Sequence, residues 1–331
     1  MYQVSVIIPI YKVEKCIERC ARSLFEQTLS SIEFIFVNDY SPDNSVSILQ
    51  SVLNQYPNRS PHTKIVHHEY NRGLAAARNT GRSIAQGEYI IDCDSDDWVE
   101  RNMYELMYQK AKKTNADIVI CDWNEIYATT TKYVSVNPPD NYTDCVIALL
   151  SGKMHGSVCN KLVRSSLYQE NDIMCKEGMD FCEDFYVTYR LFYFAKSIAY
   201  INLPLYHYNK MNINAYTSNL FSIKTQQGLV LLAKEIDTFF QNNEVNERLN
   251  IYIDYFLNSL KSSLLLNGDY KFAKQIRSTT KVSILFHPTL PIHHKMVLLC
   301  CRINFIGGVK IIRSMYNLLK RFSHNILSNK S

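Results

Sequence analysis

Over the first 123 positions, apolar residues recur in two alternating rhythms. Short, nearly continuous runs, VSVIIPI (4–10), IEFIFVND (32–39), KIVHHEY (64–70), EYIIDCD (88–94) and DIVICDW (117–123), read as strands. Between them the apolar positions return every three to four residues. This predicts helices from Val13 to about Phe25, Asp43 to Leu53, 74–86 and 99–113. Five strands alternating with four helices imply right-handed crossovers and a mostly parallel, doubly wound α/β sheet covered on both faces. Residues 124–142, with TTTK and NPPDN, read as a loop. A second α/β portion follows to about 215, with a helix around Glu183–Phe194 and a strand at SIAYINL. The pattern over 216–269 is helical, and 270–331 forms a basic tail.

The 331 residues are 47% hydrophobic, enough for a substantial core, yet no uncharged apolar run reaches 18 residues, so a spanning helix is not expected. MYQVSVIIPIYK lacks the basic segment and cleavage site of a signal peptide, which predicts a cytoplasmic location. Ten cysteines include no CxxC pair and read as reduced, packed thiols.

The net charge of +5 hides an asymmetry. Residues 270–331 carry eleven Lys and Arg and no acid, leaving −6 for the rest. In VKIIRSMYNLLKRF (309–322), Ile312, Met315, Tyr316, Leu319 and Phe322 form an apolar stripe, with Lys310, Arg313, Lys320 and Arg321 on the other side. Such a helix fits an anionic membrane surface, on the inner face of the plasma membrane. The alternative is docking on the protein's own core or a second copy. No nucleic-acid module accompanies the tail, so nucleic acid is not an expected partner.

YIIDCDSDDW (89–98) sets Asp92, Asp94, Asp96 and Asp97 together with no Lys or Arg in the segment. Carboxylates so crowded need a positive charge among them. Other predicted strand ends bring PIYK (9–12), ND (38–39) and NRG (71–73) to the same rim, where α/β sheets bind ligands. Neither GxxxxGK[ST] nor GxGxxG occurs, which excludes a P-loop and a dinucleotide fingerprint. Counted from Asp92, an EF-hand loop would need Gly at Asp97 and Glu at Met103. The cluster suits Mg²⁺ or Mn²⁺ beside a diphosphate. The competing reading is a solvated acidic turn, with Asp97 capping the helix near Val99.

VSVIIPIYKVEKCIERCARSL, VNDYSPDNS, NRGLAAARNTG, GEYIIDCDSDDWVE and CEDFYVTYRL together resemble the family 2 glycosyltransferases, inverting enzymes of GT-A fold that use nucleotide sugars. The likeness runs in order through 1–125 and more loosely to 215. It implies a catalytic domain at 1–215, with a nucleotide-sugar half (1–125) and an acceptor half (126–215), followed by a mainly helical C-terminal extension. Pro9 and Tyr11 would line the nucleotide pocket, Asp39 would bond base or ribose, and Arg78 would contact the nucleotide or its phosphates. Asp94-Ser95-Asp96 takes the place of the DxD motif, with Asp96 the direct metal ligand and Asp94 facing ribose or metal. Glu183-Asp184 matches the ED motif, with Asp184 as base and Glu183 orienting it or binding acceptor. Asp92 stands where relatives have an apolar residue and inherits no role. Tyr40 replaces the glycine that commonly follows ND. His207 and Lys161 are lesser candidates, for metal and phosphate respectively.

The resemblance thus implies transfer of a hexose or N-acetylhexosamine from a nucleotide-diphosphate sugar, foremost a UDP-sugar, to a glycan or lipid-linked glycan, with Mn²⁺ or Mg²⁺ as cofactor. The rival is a non-catalytic scaffold of the same fold that binds glycan or nucleotide sugar at the membrane.

Overall fold

The structure, a computed structural model, describes residues 2–179, 181–212 and 223–328, with the side chains of Lys224, Lys281, Val282 and 319–328 outside the description. Contacts divide the chain after residue 218 into two compact units.

The first unit is built on one sheet. Its strands are β1 (Tyr2–Ile10), β2 (Ile32–Asn38), β3 (Thr63–His67), β4 (Gly87–Asp92), β5 (Trp98–Val99), β6 (Ile118–Ile126), β7 (Thr131–Val134), β8 (Lys161–Arg164) and β9 (Ile198–Asn209). They run in the order β3-β2-β1-β4-β8-β6-β9-β5, with β7 paired to β6. β3, β2, β1 and β4 are parallel, and β2 is buried along its whole length. The crossover helices are α1 (Ile17–Phe25), α2 (Ser45–Leu53) and α3 (Leu74–Ser83), followed by α4 (Met103–Thr114). Gly81 lets α3 lie against β1, because a Cβ there would stand 2.4 Å from the Ile7 side chain.

The mostly parallel, helix-flanked sheet is as expected, but three details differ. DIVICDW does not adjoin β4; the four-residue β8 lies between them, antiparallel to both. Four residues cannot display a two-residue period against background, so pattern reading passes over them. The expected loop at 124–142 contains β7, joined to an extended β6 through a turn in which the Tyr127 amide donates to Thr130 O at 2.9 Å. The helix expected from 99 begins at Met103, because Trp98–Val99 pairs with Tyr206–His207 of β9.

α5 (Tyr142–Leu150), α6 (Ser165–Glu170) and α7 (Glu183–Phe194) complete this unit. All ten cysteines are free thiols, six of them buried.

The second unit is helical: α8 (Ile223–Gln241), α9 (Glu247–Asn267), α10 (Tyr270–Ala273), α11 (Lys281–Leu285), α12 (Ile292–Arg302) and α13 (Ile306–Ser328). Asn246 caps α9 by accepting the Leu249 amide at 2.8 Å, and Gly268, at φ 91°, ends it. α12 and α13 pack on α9 and on each other. The tail stripe divides accordingly. Ile312 and Tyr316 turn partly inward, Tyr316 stacking on His293 at 5.0 Å, while Ile311, Met315 and Leu318 stay exposed. Leu319, Phe322, Lys320 and Arg321 fall among the side chains outside the description.

Candidate active site

β1, β2 and β4 run in parallel, so their carboxyl ends share one rim. Pro9 is buried near the end of β1 and Tyr11 follows it, 40% exposed. After β2 the chain turns through Tyr40, whose φ of 58° is the left-handed conformation that glycine adopts freely. The glycine-like turn is therefore kept, at a cost of about 1 kcal/mol.

Asp39, just before this turn, is buried and engaged within the chain. It accepts the amides of Arg72 and Gly73, both at 2.8 Å, and His68 Nδ1 at 2.7 Å. A carboxylate only accepts, so Nδ1 donates, and Nε2 lies 2.9 Å from Thr80 Oγ1. Asp39 thus fastens the NRG turn, where Gly73 at φ 91° opens α3.

The positive charge demanded by the aspartates comes from α3. Arg78, 2% exposed, donates NH1 to Asp92 Oδ1 at 3.0 Å and NH2 to Asp94 Oδ1 at 2.7 Å, and its Nε lies 3.4 Å from Glu183 Oε1. Burial opposes its charge, but Asp94 and Asp92 outweigh that and hold the guanidinium protonated. Arg82, one helical turn on, donates to the other Asp92 oxygen at 2.8 Å. Asp92, which inherits no role from the family pattern, therefore joins two buried arginines. Arg78 is spent on three carboxyl groups of the chain, and through it the DxD segment meets the ED pair across some ninety residues of sequence.

Removing one partner of such a buried cluster strands a charge, at about 3–5 kcal/mol, whereas an apolar pair of similar size costs far less. Asp92→Leu and Arg82→Leu should each lower the unfolding free energy by about that much, and the double variant should recover most of it. Chemical denaturation of the four proteins checks this. Additive losses in the double variant would contradict it.

Beyond Asp92 the chain turns sharply, with the Asp97 amide donating to Asp94 O at 3.0 Å. The next helix begins six residues later, at Met103, with Asn102 at its cap position, so Asp97 is not the expected cap. Buried, it accepts Tyr206 OH at 2.5 Å and the Asn209 amide at 2.7 Å instead. Burial, then Asp96 and Asp94, push its carboxyl well above the usual range. Tyr206 OH also accepts the Asp94 amide at 3.3 Å. Asp96 accepts Asn212 Nδ2 at 2.7 Å, and burial followed by Asp94 raises its pKa. Ser95 is buried between these two, whereas Asp94 keeps a side chain 37% exposed.

At the start of α7, Glu183 is buried, and burial together with Asp184 pushes its carboxyl up to about 8. Asp184 stays half-buried, with Oδ1 accepting the Phe185 amide at 2.6 Å. Both acids sit where the helix dipole favours negative charge.

His207 stacks on Trp98 at 5.3 Å and pairs with Glu100 at 2.9 Å, and among the described residues no group of three His, Cys, Asp or Glu gathers as a metal cage. Lys161 does not stand in solvent; it is buried, with its ammonium on neutral oxygens of 155–160. Arg82, Tyr206, Asn209 and Asn212 are site-supporting residues that the motifs did not single out. The spacing of Arg82 four residues after Arg78 on one helix was the available signal.

The glycosyl transferase family 2 profile matches residues 5–171. EpsH, a glycosyltransferase-family protein of Bacillus subtilis, is 32% identical over 278 residues, covering 81% of this chain and 77% of EpsH. Among solved structures, S. aureus TarS 1–349 in complex with UDP-GlcNAc is similar at a TM-score of 0.75 and 19% identity, covering 96% of this chain and 92% of that one. The mannosyltransferase PcManGT of Pyrobaculum calidifontis, in complex with GDP-Man and Mn²⁺, gives 0.56 and 15%, covering 96% and 88%. Motifs, fold and relatives agree: the chain is a glycosyltransferase and belongs to glycosyl transferase family 2.

Proposed function

We propose that this glycosyltransferase moves a hexose or N-acetylhexosamine from a nucleotide-diphosphate sugar, foremost a UDP-sugar, to a hydroxyl of a glycan or lipid-linked glycan, with inversion, in cell-surface polysaccharide synthesis. The observation that carries this reading is the single guanidinium of Arg78 that ties Asp94 to Glu183 and so sets the donor motif beside the acid pair. A non-catalytic scaffold has no use for that arrangement.

The residues present fit a divalent ion. Asp94 and Asp96 are two residues apart on one turn, and after burial it is Asp94 that raises the cost of the Asp96 charge. Mg²⁺ or Mn²⁺ accepts one or two carboxylates and completes its shell with phosphate oxygens and water, so no third protein ligand is needed. Asp96, with Asp94, would hold the ion, which when bound supplies electrostatic neutralisation of the leaving diphosphate. Pro9, Tyr11 and Ser95 line the donor side. Asp39 and Arg78 serve it by fixing the NRG turn and Asp94. Asp184 takes the proton of the acceptor hydroxyl as its oxygen bonds the anomeric carbon and the bond to the diphosphate breaks. Glu183 orients that site.

A panel of UDP-, GDP- and dTDP-hexoses and N-acetylhexosamines, scored by Mn²⁺-dependent thermal stabilisation and by nucleotide release, tests the reading. One donor should raise stability by about 2.7 kcal/mol at a hundredfold excess over Kd. A flat panel would count against it.

The second unit supports docking on the cytoplasmic face of an anionic membrane. Among the described residues no helix is long and apolar enough to cross one. Yet Ile292, Ile303, Phe305, Ile311, Met315 and Leu318 are all more than half exposed, in a segment free of acids. Arg277, with Asp237 at 2.5 Å and Asp254 at 2.8 Å, and Arg313, on Asn267 O at 2.9 Å, are engaged inside the unit. Each remaining cation near the surface contributes about 1 kcal/mol. Ile303→Ser, Ile311→Ser and Met315→Ser together should release the chain from phosphatidylglycerol vesicles, and salt should weaken wild-type binding. Unchanged vesicle binding with an altered oligomeric state would favour association between copies.

A further inference from the structure

Tyr40, two residues beyond β2, is 59% exposed and held in the left-handed region at φ 58°. Among the described residues no hydrogen bond, ring contact or ion pair engages its side chain. A bulky residue in that conformation costs stability, and such strain gathers at ligand clamps.

The turn does not depend on the tyrosine. The Ser41 amide donates to Asn38 Oδ1 at 3.0 Å, and Ser41 Oγ donates to Asp43 Oδ1 at 2.6 Å. Asn71 Nδ2 donates to Asp39 O at 3.1 Å. Groups on either side of residue 40 thus fix the backbone, and glycine would adopt it without strain. The ring needs another reason.

That reason lies across the rim. The Asp39 amide donates to Ile10 O at 3.0 Å, and the Lys12 amide donates to Ser41 Oγ at 2.8 Å. Between these two bonded pairs Tyr11 and Tyr40 are neighbours, their backbones about one strand spacing of 5 Å apart. Lys12 is left-handed as well, at φ 55°, with its ammonium 5.1 Å from the centre of the Tyr11 ring. Two exposed phenol rings therefore stand side by side on adjoining strand ends, each at or next to a strained residue.

A free aromatic face is best covered by another planar ring. Of the parts of a nucleotide sugar only the base is planar, and bases stack on aromatic side chains whatever their hydrogen-bonding edge. Asp39, the carboxylate at this turn, already accepts three hydrogen bonds from the chain, of about four that it can take. A base bound here relies on its faces more than on that carboxylate.

We infer that Tyr40 is a donor-binding residue: with Tyr11 it forms an aromatic clamp on the planar base of the nucleoside diphosphate. This rests on the donor being a nucleotide sugar, as proposed above.

The test is calorimetric titration with UDP, GDP and dTDP in Mn²⁺, and with inorganic pyrophosphate in Mg²⁺ as the probe without a base. For the nucleotide that the wild type binds most tightly, Tyr40→Gly should raise Kd about tenfold, the low end of what one stacked base contributes. Tyr40→Phe keeps the ring and should leave that Kd within about twofold. Pyrophosphate should bind all of these proteins alike. Tyr40→Gly should also melt no lower than the wild type, because it relieves the left-handed strain; a residue kept for packing would show the reverse. Tyr40→Asn, which also tolerates this conformation, should weaken nucleotide binding as Tyr40→Gly does, and it decides the question if the glycine variant does not fold. An unchanged nucleotide Kd in the ring-free variants would overturn the inference, as would an equal loss for pyrophosphate. A wild type that binds pyrophosphate but none of the three nucleotides would instead overturn the nucleotide-sugar reading, and the clamp with it.

Discussion

Asp184→Asn is expected to lower the rate of transfer by about 10²–10⁴ while donor affinity stays close to wild type. The amide is nearly isosteric but cannot take a proton, and the half-buried side chain bears little packing, so the fold should persist. Its neighbour should behave differently. Glu183 is pushed up to about 8, so near neutral pH it already carries a proton and Glu183→Gln imitates it. A carboxyl raised in the folded state keeps its proton when the unfolded chain has lost it, so stability falls as pH rises from the ordinary carboxylate range towards about 8. Glu183→Gln should therefore gain stability over wild type across that window and retain activity at pH 7. Thermal melts and initial rates from pH 5 to 9 check both residues. An active Asp184→Asn with an inactive Glu183→Gln would reverse the two assignments.

Asp96→Ala is expected to abolish the Mn²⁺-dependent part of donor binding, and transfer with it. Its carboxylate lies beside Asp94 on the turn after β4, held by Asn212, and contributes nothing to the apolar core. The stabilisation of about 2.7 kcal/mol that a hundredfold excess of donor should give the wild type would vanish, while the melting of the unliganded protein stays near wild type. Calorimetry with and without chelator measures this. Normal turnover in the presence of chelator would sink the metal assignment.

Much of the fold could be read from the chain because its parallel half is simple. β1, β2 and β4 are buried on both faces, so each appears as an uninterrupted apolar run. β7 and β8 escaped the pattern because four residues carry too little periodicity, and β8 alters the topology by separating β4 from β6. The tail helix was legible as amphipathic but its partner was not, since only packing reveals that α13 lies on α9 and α12 with Ile312 and Tyr316 partly buried and Tyr316 on His293.

In the site, the crowded aspartates announced a need for positive charge, and a metal ion was the agent the sequence suggested. The chain supplies part of that charge itself. Arg78 and Arg82 lie one turn apart on α3, and both converge on Asp92, whose pairing no motif encodes. Asp39 has partners that the motif does not encode: its carboxylate accepts from the NRG turn and His68, contacts made across sequence that only the sheet brings together.

The most direct test of the central claim is the configuration of the sugar at the moment of release. A single displacement at the anomeric carbon, with Asp184 taking the proton of the attacking hydroxyl, inverts that centre. Proton NMR should therefore find the β anomer first when an α-linked nucleotide sugar is slowly hydrolysed by the wild type with Mn²⁺, and little free sugar of either kind with Asp184→Asn. Initial appearance of the α anomer would contradict the account.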